Sequence, residues 1–242
     1  MDAGPETLAR AEGVSGELTL RRRDGTEAGL DAVFELIVNG VFLMDTAETS
    51  TERMLAEQVL ERLAAPRRIL VGGLGLGVTL GRLLTDVRVD RVDVVEVEAL
   101  LVEWLRAGLV PGADAVLADP RVHVTVADVR DVLRHAVAGT YDGVVLDVDN
   151  GPDFLVRAAN AAVYRPASVR DVTTALAPGG VVAVWSAAPS AALETTLAEV
   201  VGRCQEVVRT VERNGRSVTY HIYLARRQAC PPQVATRSQQ PR

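Results

Sequence analysis

The chain has 242 residues, of which 48% are hydrophobic and 24% are charged, and its formal net charge is -6. This composition is typical of a globular protein with one domain of ordinary size. All 26 basic side chains are arginines, which excludes chemistry that needs a lysine amine, such as pyridoxal catalysis or a P-loop phosphate contact. The longest basic run is Arg21-Arg22-Arg23, so we expect no nucleic-acid partner.

Cysteine usage and apolar runs bear on the compartment. Cys204 and Cys230 lack metal-like spacing to the histidines, so we expect no metal site and a reducing, cytoplasmic environment. No apolar run reaches the roughly 18 residues that cross a bilayer, and the N-terminus has no basic stretch followed by an apolar segment. We therefore expect no membrane contact.

The chain opens with a predicted antiparallel module over residues 1–47. Short strands are expected at 17–20, 33–38 and 41–44. Asn39-Gly40 between the last two is a strong hairpin signal, because both positions of the favoured turn need positive φ. Exposed strands of such a module can pair across a homodimer. A helix should follow, capped at Thr49, Ser50 or Thr51 and ending before Pro66.

From residue 68 the pattern alternates between apolar strands and amphipathic helices. The predicted strands are 69–71, 92–97, 122–126, 143–146 and 181–185. The predicted helices are 78–84, 99–107, 129–136 and 168–177, the last stopped by Pro178-Gly179-Gly180. This order predicts an α/β fold with a doubly wound, mainly parallel sheet that is Rossmann-like.

The C-terminal part should add antiparallel strands to that sheet. A helix at 191–201 leads to strands at 206–211 and 217–225, which Asn214-Gly215 joins as a second hairpin. The nucleotide-binding domain is therefore predicted over residues 48–227. Residues 228–242 are rich in Pro, Gln, Arg and Ser, and we expect a flexible tail there.

A nucleotide pocket is predicted at the carboxyl ends of the parallel strands. A glycine-rich turn opens the first crossover helix and contains Gly72, Gly73, Gly75 and Gly77. Glu96 follows nineteen residues beyond Gly77, where a carboxylate can accept ribose hydroxyls, and Asp128 ends the third strand at the same edge. The alternatives are a tight turn without a ligand and two solvated carboxylates.

An acidic loop, Asp147-Val148-Asp149-Asn150-Gly151-Pro152, follows the fourth strand at this edge. NAD remains possible on the glycine pattern, but a hydride-transfer pocket gains little from two carboxylates. A cationic sulfonium donor or an amine acceptor gains attraction and a base. Asp147 and Asp149 are therefore the candidate catalytic residues, and a solvated turn is the alternative interpretation.

Over about residues 17–225 the sequence resembles the spermidine synthase family of polyamine aminopropyltransferases. The segments that carry the resemblance, in order, are Asn39-Gly40-Val41-Phe42, Met54-Leu55, 69–77, Val94-Val95-Glu96-Val97-Glu98, Asp119-Pro120-Arg121-Val122, Tyr141-Asp142, Asp147 and Ala175-Leu176-Ala177-Pro178-Gly179-Gly180. The resemblance implies S-adenosylmethionine or its decarboxylated form as co-substrate, with Glu96 on the ribose and Asp128 near the adenine. It also implies Asp147 as the proton acceptor, and a Rossmann-like domain of the S-adenosylmethionine-dependent methyltransferase type behind a small N-terminal β-module.

Five positions depart from the family pattern. Thr51-Glu52 replaces a Tyr-His or Tyr-Gln pair, Leu43 replaces a Gln, and Asn150 replaces the second Asp of the acidic loop. Gly75 stands where the family has an Asp that pairs with the aminopropyl ammonium of the donor, which weakens discrimination against intact S-adenosylmethionine. Asp149 is a candidate substitute for the missing second Asp. Glu52 either supplies new acceptor contacts or belongs to an exposed first helical turn.

Three functions therefore stay open. The first is a spermidine synthase-like transferase that acts on a small-molecule amine. The second is a methyltransferase that uses intact S-adenosylmethionine, since one fold serves many acceptors. The third is a non-catalytic nucleotide-binding homologue.

Overall fold

In the computed structural model, which describes residues 4–25, 29–213 and 216–228, the chain folds around two sheets. The first is antiparallel in the order β1-β2-β3-β4. Its strands are Glu6–Gly13, Gly16–Asp24, Ala32–Val38 and Val41–Asp45. At the predicted hairpin Asn39 and Gly40 have φ of 51° and 74°, the positive values that the turn requires.

The second sheet has seven strands in the order β10-β11-β9-β8-β5-β6-β7. Strands β9, β8, β5, β6 and β7 run parallel, and β11 and β10 pair antiparallel at the β9 side. From β5 to β11 they span Arg68–Gly72, Arg91–Glu96, Val122–Val126, Tyr141–Leu146, Leu176–Ser186, Cys204–Arg213 and Arg216–Arg226. The predicted fold class is confirmed.

Helices cover both faces of the large sheet. In chain order, α1 to α7 are Ser50–Arg62, Val78–Leu84, Ala99–Arg106, Ala113–Leu117, Val129–His135, Pro166–Ala175 and Ala191–Val200, with a 3-10 helix at Ala158–Tyr164. The buried apolar side chains of α1 to α4 and of the small sheet form one cluster, and those of α5, α6 and α7 form a second cluster on the opposite face. No helix of the described ranges is long and apolar enough to span a bilayer.

Side-chain alternation decides which strand residues face α1. Along β9, Ala183 and Trp185 belong to the cluster on the α1 face, whereas Val182 and Val184 belong to the other cluster. Along β8, Val145 lies on the α1 face and Leu146 lies opposite. Asp147 lies two residues beyond Val145, so the same alternation places it on the α1 side of the carboxyl edge.

Three details differ from the sequence-based expectations. Strand β1 was not expected, because its sequence ETLARAEG lacks an apolar face, and it is paired with β2 in the structure. Helix α4 was also not expected. Helix α6 ends at Ala175 rather than at residue 177, and Pro178-Gly179-Gly180 lies inside β9, where Gly179 has a φ of 81° and its N–H donates to the carbonyl of Arg227. The Asn214-Gly215 turn and nearly all of the predicted tail lie outside the described residues.

Candidate functional site

A cleft lies at the carboxyl edge of the large sheet, under the small sheet. It holds about 1050 Å³ of empty space, part of which is open to solvent. The strand order separates two ends of this cleft. The β6–β7 end is lined by Glu96 and Asp128, and the β8–β9 end is lined by Asp147, Trp185 and, from α1, Glu52.

Two of the four predicted glycines, Gly73 and Gly75, line the cleft. Gly73 allows the backbone of the glycine turn to approach the backbone of the acidic loop closely. Its φ is 92°, and a Cβ there would lie 2.0 Å from the carbonyl oxygen of Asp147. Gly72 accepts a backbone hydrogen bond from Asp147 at 2.8 Å. Gly77 does not line the cleft and precedes α2 with a φ of 83°. The turn thus packs directly on the acidic loop.

Gly75 is the other glycine that lines the cleft. Its φ is 51°, and a Cβ there would approach the sulfur of Met44 to 2.7 Å. The same sulfur accepts the backbone N–H of Leu76 at 3.3 Å. Strand β4 therefore covers the position where the spermidine synthase pattern has an Asp, and this chain has no carboxylate there.

Glu96 is held by backbone groups at the end of β6. It is 7% exposed, and its oxygens accept the N–H of Leu74 at 2.7 Å and the N–H of Glu98 at 2.9 Å. Burial raises its pKa, and these two hydrogen bonds act in the opposite direction. Each oxygen keeps a second lone pair, so the carboxylate can still accept hydroxyl groups.

Asp128 is the N-cap of α5 and is paired with an arginine. Its Oδ1 accepts the backbone N–H of Arg130 at 2.9 Å, and its Oδ2 lies 2.6 Å from an Nη of the same residue. These bonds to Arg130 lower the pKa of Asp128. The carboxylate is therefore charged and fixed in position at neutral pH.

Asp149 is occupied by donors of its own loop. Its carboxylate accepts the backbone N–H of Asn150, Val156 and Arg157 at 2.8, 2.8 and 3.1 Å, and the side-chain amide of Asn160 at 2.9 Å. A carboxylate with this many N–H donors holds the loop together. It lines the cleft, but little of its hydrogen-bonding capacity is left for a ligand.

Asp147 has a different environment, next to α1 and α2. Its Oδ2 lies 3.1 Å from the hydroxyl of Thr79, which is also 3.4 Å from the backbone oxygen of Glu52. Burial, followed by the negative charge of Glu52, raises the pKa of Asp147 to about 7, and the Thr79 hydrogen bond opposes this shift. Such a group can both accept and release a proton near neutral pH.

Glu52 is buried rather than part of an exposed helical turn. Its exposure is 7%, and its Oε2 accepts the hydroxyl of Thr51 at 2.8 Å. Burial raises its pKa, and the positive charge of Arg213 acts against that shift. Helix α1 therefore brings a buried carboxyl close to the half-buried Asp147, and the alternative of new acceptor contacts is the one that this placement favours.

Three further residues of the cleft were not singled out from the sequence. Glu98 accepts the backbone N–H groups of Val14, at 3.0 Å, and of Ser15, which fixes the β1–β2 turn over the cleft. Arg157 and Asn160 reach the cleft from the segment after the acidic loop. Alternation along the end of β6 could have indicated Glu98, since it lies two residues beyond Glu96.

Some aromatic side chains line the cleft, and others are packed in the protein interior. Trp185 lines the cleft, is 8% exposed and lies against Tyr220 with ring centroids 5.2 Å apart. Tyr164 is buried behind the acidic loop, and burial raises its pKa. Trp104 packs against the larger apolar cluster.

Comparison with known families adds to this geometry. Residues 48–223 match the family model described as the spermine/spermidine synthase domain. The chain belongs to this family. The matched range begins just before α1 and ends in β11, so it contains the large sheet and the loops that carry Glu96, Asp128 and Asp147.

The curated relatives include spermidine synthases, a spermine synthase and putrescine N-methyltransferases. Spermidine synthase 2 of Arabidopsis thaliana is 28% identical over 178 residues, which are 72% of this chain and 49% of that protein. Putrescine N-methyltransferase 3 of Nicotiana tabacum is 29% identical over 188 residues, which are 73% of this chain and 47% of that protein. The chain thus spans about half the length of the curated relatives it matches.

Solved structures share the fold. A spermidine synthase in complex with the transition-state analogue AdoDATO superposes with a TM-score of 0.78 at 17% identity, covering 94% of this chain and 75% of that one. Spermidine synthase from Thermotoga maritima gives a TM-score of 0.76, also at 17% identity and with the same coverage. The small sheet in front of the large one is therefore part of a known architecture.

Proposed function

We propose that this member of the spermine/spermidine synthase domain family transfers an alkyl group from an S-adenosylmethionine-type sulfonium donor to a small amine. The observation that carries the proposal is the placement of Asp147. A carboxyl group with a pKa of about 7 lies beside the glycine turn, in a cleft that also holds the ribose candidate Glu96. The proposed nucleotide site and the proposed proton acceptor therefore share one cleft.

The donor would occupy the β6–β7 end. There the free lone pairs of Glu96 accept the two ribose hydroxyls, and Asp128 lies where the adenine is expected. Gly73 and Gly75 expose backbone to the ligand because they carry no side chain. The cationic sulfonium would then face Asp147, where the negative charge favours its binding.

The residues at the β8–β9 end would prepare the nucleophile. Asp147 takes a proton from the ammonium group of the acceptor and becomes a neutral acid. The freed nitrogen lone pair forms a bond to the carbon beside the sulfonium, and the carbon–sulfur bond breaks with its electron pair going to sulfur, which leaves a neutral thioether. Asp149 positions this loop through its hydrogen bonds to Val156 and Arg157.

Two transferred groups are compatible with this arrangement. Aminopropyl transfer from decarboxylated S-adenosylmethionine is our first candidate, because Asp147 matches the proton acceptor of the spermidine synthase pattern. Methyl transfer from intact S-adenosylmethionine is the second, and Gly75 favours it because no carboxylate there repels the carboxylate of that donor. The similarity to a putrescine N-methyltransferase supports the same candidate.

Product analysis tests both candidates. The chain is incubated with a panel of amines and each donor in turn, and the nucleoside product is identified by chromatography. Methylthioadenosine indicates aminopropyl transfer, and S-adenosylhomocysteine indicates methyl transfer. A donor that binds but yields neither product with any amine supports the non-catalytic homologue and contradicts the proposal.

A further inference from the structure

Two carboxyl groups of the cleft lack a cationic partner. Glu52 is 7% exposed, and no arginine of the described ranges forms an ion pair with it or with Asp147. Arg213, whose charge acts on Glu52, donates to the backbone oxygen of Glu48 at 3.2 Å and lies 3.6 Å from the carboxylate of Asp45. Because a poorly hydrated carboxylate without a cationic partner is costly, a cation bound between these two groups would stabilise their charged forms, and the pair is therefore a candidate site for one.

The other carboxylates of the cleft are already engaged. Glu96 and Glu98 accept backbone N–H groups, Asp128 is paired with an arginine, and Asp149 is filled by donors of its loop. Asn150, at the position of the second Asp of the family's loop, is a buried amide. One cation can therefore be held between Glu52 and Asp147, and a second cation on the same ligand would meet no free carboxylate of the described cleft.

Much of the remaining wall of the cleft is apolar. The small sheet and β9 contribute Leu18, Leu36, Val38, Leu43, Met44 and Trp185. Burial of a hydrocarbon chain against such a wall is favourable, whereas an ammonium group placed there loses its hydration without compensation.

We propose that the acceptor is a monoamine with an apolar remainder, whose single ammonium group binds between Glu52 and Asp147. This inference rests on the proposed function and narrows its substrate class. Glu52, on α1, thereby takes over the role of a second carboxylate that neither Asn150 nor the hydrogen-bonded Asp149 can fill. Asp147 remains the group that accepts the proton.

The test compares two amines that differ at one end. Calorimetry on the chain saturated with methylthioadenosine measures the affinities of pentylamine and 1,5-diaminopentane, which share the same five-carbon chain. We expect pentylamine to bind at least about tenfold more tightly. Equal affinities, or a preference for the diamine, would overturn the monoamine inference while leaving the proposed transfer reaction standing.

Variants of α1 test the role of Glu52. Glu52→Gln keeps the shape and removes the charge, so pentylamine should bind at least about tenfold more weakly while methylthioadenosine binds as before. Glu61→Gln, the same change on the exposed side of α1, should alter neither affinity. Unchanged pentylamine binding by Glu52→Gln overturns the inference, as does a nucleoside-bound chain that binds no amine. Failure of the parent to bind either donor or methylthioadenosine overturns the proposed function itself.

Discussion

The two ends of the cleft hold the same kind of side chain with different hydrogen-bond partners. At the β6–β7 end, Asp128 is paired with Arg130, and Glu96 accepts two backbone N–H groups. At the β8–β9 end, Asp147 accepts only the Thr79 hydroxyl and faces another carboxyl. Carboxylates satisfied by N–H donors are suited to holding a ligand in place, and a desolvated carboxylate beside a like charge is suited to moving a proton.

Substitution of the proton acceptor should give the largest effect. Asp147→Asn keeps the shape of the side chain and removes the base, so turnover should fall by about 10²–10⁴. Donor affinity should change far less, because the proposed ribose contact, Glu96, lies at the other end of the cleft. Steady-state kinetics and calorimetry on the same variant separate these effects.

Asp149→Asn is the matched control for that substitution. It disturbs the loop through the N–H groups of Val156 and Arg157 and leaves Asp147 in place, so its turnover should fall less than that of Asp147→Asn. If Asp147→Asn turned over like the parent while Asp149→Asn did not, the two roles would be exchanged.

Loss of the carboxylate at the opposite end should affect binding instead. Glu96→Ala removes the acceptor of the ribose hydroxyls and leaves the N–H groups of Leu74 and Glu98 unpaired. We expect the affinity for methylthioadenosine to fall by about 100-fold, or ~2.7 kcal/mol, as measured by calorimetry. Glu96→Gln retains one acceptor oxygen and should lose less. Unchanged binding by Glu96→Ala would remove the basis for placing the nucleoside at this end.

Much of the fold could be predicted from the sequence because its signals are local. Apolar runs such as 69–71, and glycines where φ must be positive, identify strands and turns without knowledge of their neighbours. Strand β1 has a weak apolar pattern, and although its hairpin with β2 is local, the contact of Glu98 that anchors its turn comes from 84 residues away in the sequence. The end of α6 was misplaced because Pro178-Gly179-Gly180 was interpreted as the stop of a helix, whereas β9 begins at Leu176.

Residue types at strand ends predicted which acids line the cleft, but not their environments. Asp147 and Asp149 are two residues apart and look alike in the sequence. The structure gives Asp149 four N–H donors and gives Asp147 one hydroxyl. The decisive partner, Glu52, comes from α1, and its burial depends on how that helix packs against β8 and β9. Such tertiary contacts cannot be predicted from the spacing of residues in the sequence.

The raised pKa of Asp147 should also make the stability of the protein depend on pH. The folded-state pKa of Asp147 is about 7, above its usual value of 3.8. Its contribution to stability is therefore fully present below about pH 4 and is lost as the pH rises through 7, with a slope of at most ~1.4 kcal/mol per pH unit. Denaturant unfolding of the ligand-free parent and of Asp147→Asn at pH 5 and 8 measures this change in the free energy of unfolding.

The variant should be less sensitive to the pH rise than the parent, because it has no charge to bury. Titrating groups that do not interact with Asp147 are common to both proteins and cancel in the difference, whereas Glu52 is coupled to Asp147 and contributes to it. Equal pH dependence would show that Asp147 titrates near its ordinary value in the folded chain. In that case the contrast between the two ends of the cleft would lose its electrostatic basis.

The smallest effect concerns the choice between donors at Gly75. With no carboxylate at this position, intact S-adenosylmethionine should bind within about tenfold, or ~1.4 kcal/mol, of its decarboxylated form in calorimetry. A preference of more than about a thousandfold for the decarboxylated donor would show that another group restores the discrimination.

Restoring a carboxylate should recover that preference. Gly75→Asp places a negative charge where the carboxylate of intact S-adenosylmethionine would be repelled, so the ratio of the two affinities should rise to more than about tenfold in favour of the decarboxylated form. Gly75→Asn is the isosteric control. Both side chains meet the same Met44 sulfur, and both are among the residues that best tolerate a φ of 51°. Because the strain cancels between these variants, a ratio that rose equally in both would assign the effect to shape rather than charge, and the role given to Gly75 would then be wrong.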